Sequence, residues 1–216
     1  MKREPGNRNP GDALRGLRQI FPGKDATRGK RQAEGPELRV DENLSIRALR
    51  PEDAERIYFL VETNRTYLQA WLSWIEQIRN IQDARNFVQT VRYRDVYDSL
   101  WVLGIWYGSK LVGLLDFNEG DRNTRTIAIG YWLAALYQGK GIVTRACARC
   151  MDYLFDEQDV EKIVLKCAVE NESSRAVAQR LHFSWDSVVH DAGTVDGKTV
   201  DLIVYAMTRG EWQSYR

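Results

Sequence analysis

Residues 131–146 read YWLAALYQGKGIVTRA, an apolar run that closes in Gln138-Gly139-Lys140-Gly141 and passes at once into a helical pattern. Glycine is entropically costly at such a handover, so two within three residues mark a place where backbone must come close to a bulky group. The first amides of a helix have no intrahelical partner and carry the positive end of its dipole. A strand, a glycine turn and a helix in succession therefore make an anion site. Gly139 and Gly141 remove the Cβ atoms that would hold a phosphate away. Neither G-x-x-x-x-G-K-[ST] nor a complete G-x-G-x-x-G is present, which excludes the Walker loop and the dinucleotide fingerprint. Alone, a G-K-G turn also fits a plain helix start.

About 30 residues on, a second constellation follows. Asn171 ends the strand-like run KIVLKCAV and opens the helical NESSRAVAQRLHF, where Asn is a good cap. Ser174 stands one turn before Ala178 on the same helix face. Cys147 and Cys150 form a C-x-x-C, but zinc would need two more ligands from Cys167, His182 and His190. Two small helix residues one turn apart is the reading taken, with no metal site. Three cysteines are an odd count, which argues against a disulfide framework and for a reducing, cytoplasmic setting.

These residues need a frame. LSIRAL alternates as a strand from Leu44. Helical periods follow in RPEDAERIYFLVETN, RTYLQAWLSWIEQI and DARNFVQTVRYRDVY. LWVLGIWY and KLVGLLDF flank Gly108-Ser109 as a hairpin, RTIAIGYWL completes a meander, and GIVTRACARCMDYLFDE is a helix. KIVLKCAV, the Asn171 helix and two strands around Asp196-Gly197 close the chain. The order predicts an α+β fold with a mixed sheet, in which the helix between RTIAIGYWL and KIVLKCAV joins parallel neighbours.

Residues 1–40 differ in kind. From Met1 to Pro36 nine Lys or Arg stand against four Asp or Glu, in a stretch rich in Gly and Pro with one small apolar cluster, Leu14, Leu17, Ile20 and Phe21. Such a tail cannot build a core and is expected to be disordered; the folded domain is taken as 41–216. The whole chain has 216 residues, 44% hydrophobic, 28% charged, and a net charge of +1, so it is not a polybasic nucleic-acid binder. No apolar run approaches the roughly 18 residues of a membrane helix, and the opening has no secretory h-region. No membrane partner is expected.

GYWL, YQGKGI, N-x-SSR and the closing VDGKTVDLIVYAMTRGEW stand in an order that resembles the GNAT superfamily of N-acetyltransferases, within it the RimJ/RimL type that acetylates ribosomal-protein N-termini. The resemblance runs from about Leu44 to Trp212, nearly four fifths of the chain. It implies a central mixed, twisted sheet of about seven strands, splayed between the fourth and fifth and flanked by helices. Acetyl-CoA would lie as co-substrate in the wedge between AIGYWL and KIVLKCAV. Backbone of Trp132 and Leu133 would meet its pantetheine arm. The amides of Gln138, Gly139, Lys140, Gly141, Ile142 and Val143 would hold its pyrophosphate, with the Thr144 hydroxyl beside them. Asn171 would hydrogen-bond the arm. Val143 departs from the [QR]-x-x-G-x-[GA] pattern, and His182 stands where the family has Gly.

The family's proton-donating Tyr falls on Ala178, which cannot donate. A RimL-like pattern instead implies Ser174 as acid and Asp186 as base. The acceptor would enter between the helices of RTYLQAWLSW and the Asp186 hairpin, with Tyr67, Trp71 and Trp74 as contacts, although their helical spacing also fits core packing. The expected acceptor is a protein N-terminus, whose amine has a pKa near 7.7–8.0 and needs less help than Lys at about 10.4. Two alternatives stay open: a small-molecule amine such as a polyamine or an aminoglycoside, and a non-catalytic CoA-binding module. The basic tail would touch ribosomal RNA, and a homodimer is allowed.

Overall fold

The computed structural model describes residues 35–91, 97, 101–195 and 197–216. Most of the basic tail, its apolar cluster and Asp196 lie outside these.

β1 (Glu37–Arg39) and β2 (Leu44–Ala48) lead into α1 (Ala54–Gln69) and α2 (Ile81–Thr90). β3 (Trp101–Tyr107), β4 (Lys110–Asp121) and β5 (Thr126–Leu133) form the meander. Then come α3 (Ile142–Glu157), β6 (Lys162–Ala168), α4 (Glu172–Arg180), β7 (Ser184–Val195), β8 (Lys198–Thr208) and α5 (Arg209–Tyr215). One sheet runs in the order β1-β2-β3-β4-β5-β6-β8-β7. Every neighbouring pair is antiparallel except β5 and β6.

Among the described residues the sheet has eight strands, against about seven expected. The extra one is β1, which pairs Glu37 with Arg47 and Arg39 with Ser45. It lies inside the stretch taken as tail, so the folded part begins before residue 40. A three-residue strand is too short to show an alternating pattern. The splay accordingly falls between the fifth and sixth strands.

Two helical periods fuse into α1. It ends at Gln69, where the amides of Trp71 and Leu72 both turn back to the carbonyl of Leu68, and a 3-10 turn follows at Ser73–Gln77. The Arg65 guanidinium fixes that turn by donating to the carbonyls of Ile75 and Ile78, at 3.1 and 2.6 Å. α5 escaped the periodicity reading because it is short. A capping box starts it, with the Thr208 hydroxyl and the Glu211 carboxylate closing on each other's backbone.

Alternation along the strands divides the core into two layers. Trp101, Phe117, Ile129 and Leu165 pack with Met151 and Phe155 of α3. On the other face Val102, Leu114 and Trp132 pack with Ile57 and Val61 of α1 and Phe87 of α2. At about 1.5–3 kcal/mol for each fully buried large side chain, these layers hold the sheet together where its ladder stops. Cys147 and Cys150 are fully buried in the first layer, and burial pushes both thiols up, so they act as small apolar residues.

The ladder between β5 and β6 runs only from Thr126↔Lys162 to Ile129↔Leu165. Beyond it β5 stays with β4 as far as Gly113↔Leu133, and β6 stays with β8 as far as Ala168↔Leu202. The sheet opens between them.

Candidate active site

The opening is a cleft of about 930 Å³. Along its β5 wall, the edge of residues 130–133 that faces β6 has no strand partner. An extended ligand with amide groups could add there as a strand would. Trp132 and Leu133 border this wall. The Trp132 indole is buried among the α1 and α2 side chains, and its Nε1 has no hydrogen-bond partner among the described residues.

At one end of the cleft lie Gln138, Gly139, Gly141, Ile142, Val143 and Thr144. Gly139 and Gly141 have φ of +73° and +66°, and a Cβ on either would meet nothing within 4 Å. Gly141 caps α3 in the left-handed region without a side-chain cap bond. The first intrahelical bond runs from Arg145 N to Gly141 O, which leaves the amides of Ile142, Val143 and Thr144 for a ligand. An open, uncapped helix start with two glycines before it fits a pyrophosphate. The Lys140 side chain lies outside the cleft lining, its Nζ over the Tyr137 ring.

The opposite wall comes from β6 and α4. Asn171 caps α4 by accepting from Ser174 N at 3.0 Å. This uses only Oδ1 and leaves Nδ2 for a ligand. Ser174 borders the cleft, and its Oγ stands 2.9 Å from the hydroxyl of Tyr131 on β5. Ala178 is fully buried, one turn beyond.

Asp186, the expected base, is not brought to the cleft. It sits in the bulge of β7 between Trp185 and Ser187. Lys162 Nζ binds it at 3.2 Å, and the Ser187 hydroxyl donates to it at 3.0 Å. Lys162 opens β6 opposite Thr126, at the closed end of the splay. The hydrogen bond from Lys162 holds the carboxyl below its usual range, which makes it a weak base. The expectation followed chain order after Phe183; the structure places the carboxyl in the bulge, paired with a lysine.

Another carboxylate does reach the cleft. Asp116 on β4 pairs across the sheet with Gly130, so both face the α1 and α2 side. A Cβ on Gly130 would lie 2.7 Å from Asp116 Oδ2. The missing side chain thus lets the carboxylate lie over β5 beside the gap. Burial pushes the Asp116 carboxyl up to about 6; a hydrogen bond from Asn118 at 2.5 Å opposes that, and Glu119 adds to it. Such a group is ionised at neutral pH yet basic enough to take a proton. Glu119 itself is paired with Lys166 on β6. The sequence signal was there: Asp116 is the one charged residue between Lys110 and Glu119 in an apolar strand.

Of the expected acceptor contacts, Tyr67 and Trp71 border the cleft in half-exposed positions. Tyr67 accepts from Gln138 Nε2 at 2.6 Å, and Asn64 of the same helix accepts from Ala135 N at 3.0 Å. Helix α1 is therefore tied directly to the glycine loop. Trp71 packs across the opening against Ala168 and Leu202. Trp74 is a core residue, stacked on Phe87 with ring centres 5.2 Å apart, and it reaches the cleft only at its edge. Among the described residues no group of three His, Cys, Asp or Glu is placed to hold a metal, and no helix is long and apolar enough to cross a membrane.

Residues 43–184 match the family model described as an acetyltransferase (GNAT) domain. The chain is 34% identical over 179 residues, 81% of its length and 96% of the relative's, to YdaF of Bacillus subtilis (strain 168), provisionally named a ribosomal N-acetyltransferase. It is 28% identical over 171 residues to the ribosomal-protein-serine acetyltransferase of Escherichia coli (strain K12), covering 78% of this chain and 94% of that one. Among solved structures it resembles RimL, the ribosomal L7/L12 alpha-N-protein acetyltransferase in complex with coenzyme A. The TM-score is 0.76 at 27% identity, with 80% of this chain and 98% of that one covered.

Proposed function

Because the chain belongs to the GNAT acetyltransferase family and is an N-acetyltransferase, we propose that its acceptor is the α-amino group of a protein N-terminus, of the ribosomal-protein class. The observation that carries this reading is Asp116, a cleft carboxyl raised to about 6. An α-amine with a pKa near 7.7–8.0 lies within about two units of that base, whereas Lys at about 10.4 lies more than four units away. The names of the relatives support the same class.

The co-substrate, acetyl-CoA, supplies an acetyl group activated as a thioester. The chain's residues do the rest. Gly139, Gly141 and the first amides of α3 hold the pyrophosphate. The free edge of residues 130–133 and the Asn171 Nδ2 align the pantetheine arm. Tyr67 and Trp71 wall the acceptor side and exclude water. Asp116 takes the proton of the attacking amine, which bonds directly to the acetyl carbon. The Ser174 hydroxyl hydrogen-bonds the departing sulfur. Most of the acceleration comes from this alignment.

Thiol release with a panel of peptides beginning Ser, Ala or Thr tests the reading. Release is expected with free N-termini and lost when the same peptides are Nα-blocked but retain lysines. Release with polyamines or aminoglycosides alone would replace the acceptor class. The basic stretch 1–40 supplies the further contact, to ribosomal RNA phosphates. A chain lacking residues 1–34 should sediment less with ribosomes at low salt, and unchanged association would remove this contact.

A further inference from the structure

Resting on the acetyl-transfer reading above, we infer that Tyr131 is a positioning residue for Ser174: its phenol donates to the serine oxygen and turns the serine hydrogen toward the departing sulfur. The two side chains come from separate elements. Tyr131 belongs to β5 and Ser174 to the first turn of α4, and both border the cleft on either side of the splay. Their hydroxyl oxygens are 2.9 Å apart, while the Ser174 carbonyl lies farther from the phenol, at 3.3 Å.

Either hydroxyl could donate across the short contact, so its direction belongs to the inference. The phenol's other neighbour on Ser174 is the backbone carbonyl, which can only accept, so the phenol hydrogen faces acceptors. A serine has one hydrogen to give; with the phenol donating to its oxygen, that hydrogen is left for sulfur. The order is then Tyr131 Oη–H to Ser174 Oγ–H to sulfur. A thioester sulfur delivered along the free edge of β5 would meet the same hydrogen. Burial also pushes the Tyr131 phenol well above its usual range, so it stays protonated and acts as a fixed donor rather than an acid. Successive hydrogen bonds in one direction strengthen one another.

The step balances without ionising either hydroxyl. The amine nitrogen bonds to the acetyl carbon, and its proton passes to Asp116. The C–S bond breaks with its electron pair going to sulfur. The thiolate is held by the Ser174 hydrogen and then protonated by solvent water. A thiol has a pKa near 8.5, so one well-aimed hydrogen bond is enough to ease its departure at neutral pH. Ala178, buried and without a hydroxyl, gives α4 no donor on the next turn; the phenol arrives instead from the neighbouring strand.

The test compares Tyr131→Phe with the unaltered chain, using acetyl-CoA and its acetyl-selenoester analogue, whose leaving group is a stronger acid. With the thioester, Tyr131→Phe should lower kcat roughly tenfold, the worth of one hydrogen bond. Acetyl-CoA affinity should be unchanged, Tm should fall by no more than about 2–4 °C for the one buried bond lost, and the rate deficit should vanish with the selenoester. Ser174→Ala should behave alike, and the double variant should fall within about twofold of the worse single one, as for groups acting as a unit. A Tyr131→Phe chain as fast as the original with the thioester would overturn the proposal. So would one slowed equally with both donors, which is the mark of a packing defect. No thiol release by the unaltered chain would overturn the underlying acetyl-transfer reading, a different result from either.

Discussion

Asp116→Asn should lower kcat/KM by roughly 10²–10⁴-fold, the usual worth of a positioned general base, while leaving the fold intact. Asn keeps the shape above Gly130 and can still bond Asn118, so acetyl-CoA affinity should not change. The pH profile is the stronger readout. Burial raises the Asp116 carboxyl to about 6, so the unaltered chain should gain activity as pH rises through about 6, and again as the acceptor amine loses its proton. In Asp116→Asn the lower step should disappear and the upper one remain. The stability sign runs the other way. A carboxyl whose folded pKa lies above its unfolded value, about 3.9, weakens the fold as pH climbs from about 4 to about 6. Above that range the Asn variant should melt no lower than the original. A variant with full activity, or one that keeps the step near pH 6, would exclude Asp116 as the base.

Asp53→Ala should be among the most destabilising single changes, at about 3–5 kcal/mol, the cost of breaking a buried ion pair by removing one partner. The Asp53 side chain is fully buried. Arg47 binds it through two bonds, at 2.7 and 3.0 Å, and the Arg50 amide donates to it at 2.9 Å. Arg56 adds a bond at 3.1 Å but is more than half exposed and contributes little. Removing the carboxylate strands the Arg47 guanidinium, which lies over the Trp106 ring at 4.0 Å. For a domain of this size the loss corresponds to a fall of about 10 °C or more in Tm. Arg47→Leu added to Asp53→Ala should recover part of it, because the stranded charge goes too. Burial pushes the Asp53 carboxyl up, but the bonds from Arg47 and Arg50 outweigh it and hold it below the usual range. Its contribution is therefore complete above about pH 3.9 and lost as pH falls through the lower folded value. The pair joins β2 to the start of α1, whose far end carries Tyr67. A chain lacking it should also bind acceptor more weakly while still folded. An unchanged Tm would show that Arg47 finds solvation elsewhere.

The glycine loop, Asn171 and Ser174 were legible because they depend on short-range chemistry. A left-handed glycine, a helix start and an Asx cap are each set within a few residues, and their order along the chain carries the family resemblance. The meander and the two amphipathic layers were legible for the same reason, since alternation and helical period repeat locally. β1, the single long α1 and the short α5 were not, because pairing and capping decide elements too short or too continuous for periodicity to mark.

The carboxylate proposed as base was out of reach for a different reason. Asp186 and Asp116 are equally acidic in an isolated chain, and spacing after Phe183 favoured the first. Folding reversed the order. Lys162 and the β7 bulge hold Asp186 ionised at the closed end, while the space above Gly130 leaves Asp116 buried on the wall of the cleft. Tyr131 and Ser174 likewise meet across 43 residues with nothing in either neighbourhood to announce the other. The sequence by itself determined the family, the glycine turn at the start of α3 and the absence of the usual tyrosine at Ala178. Only the tertiary structure decided which carboxylate and which phenol line the cleft, because burial, pKa and hydrogen-bond partners depend on what surrounds a group in space.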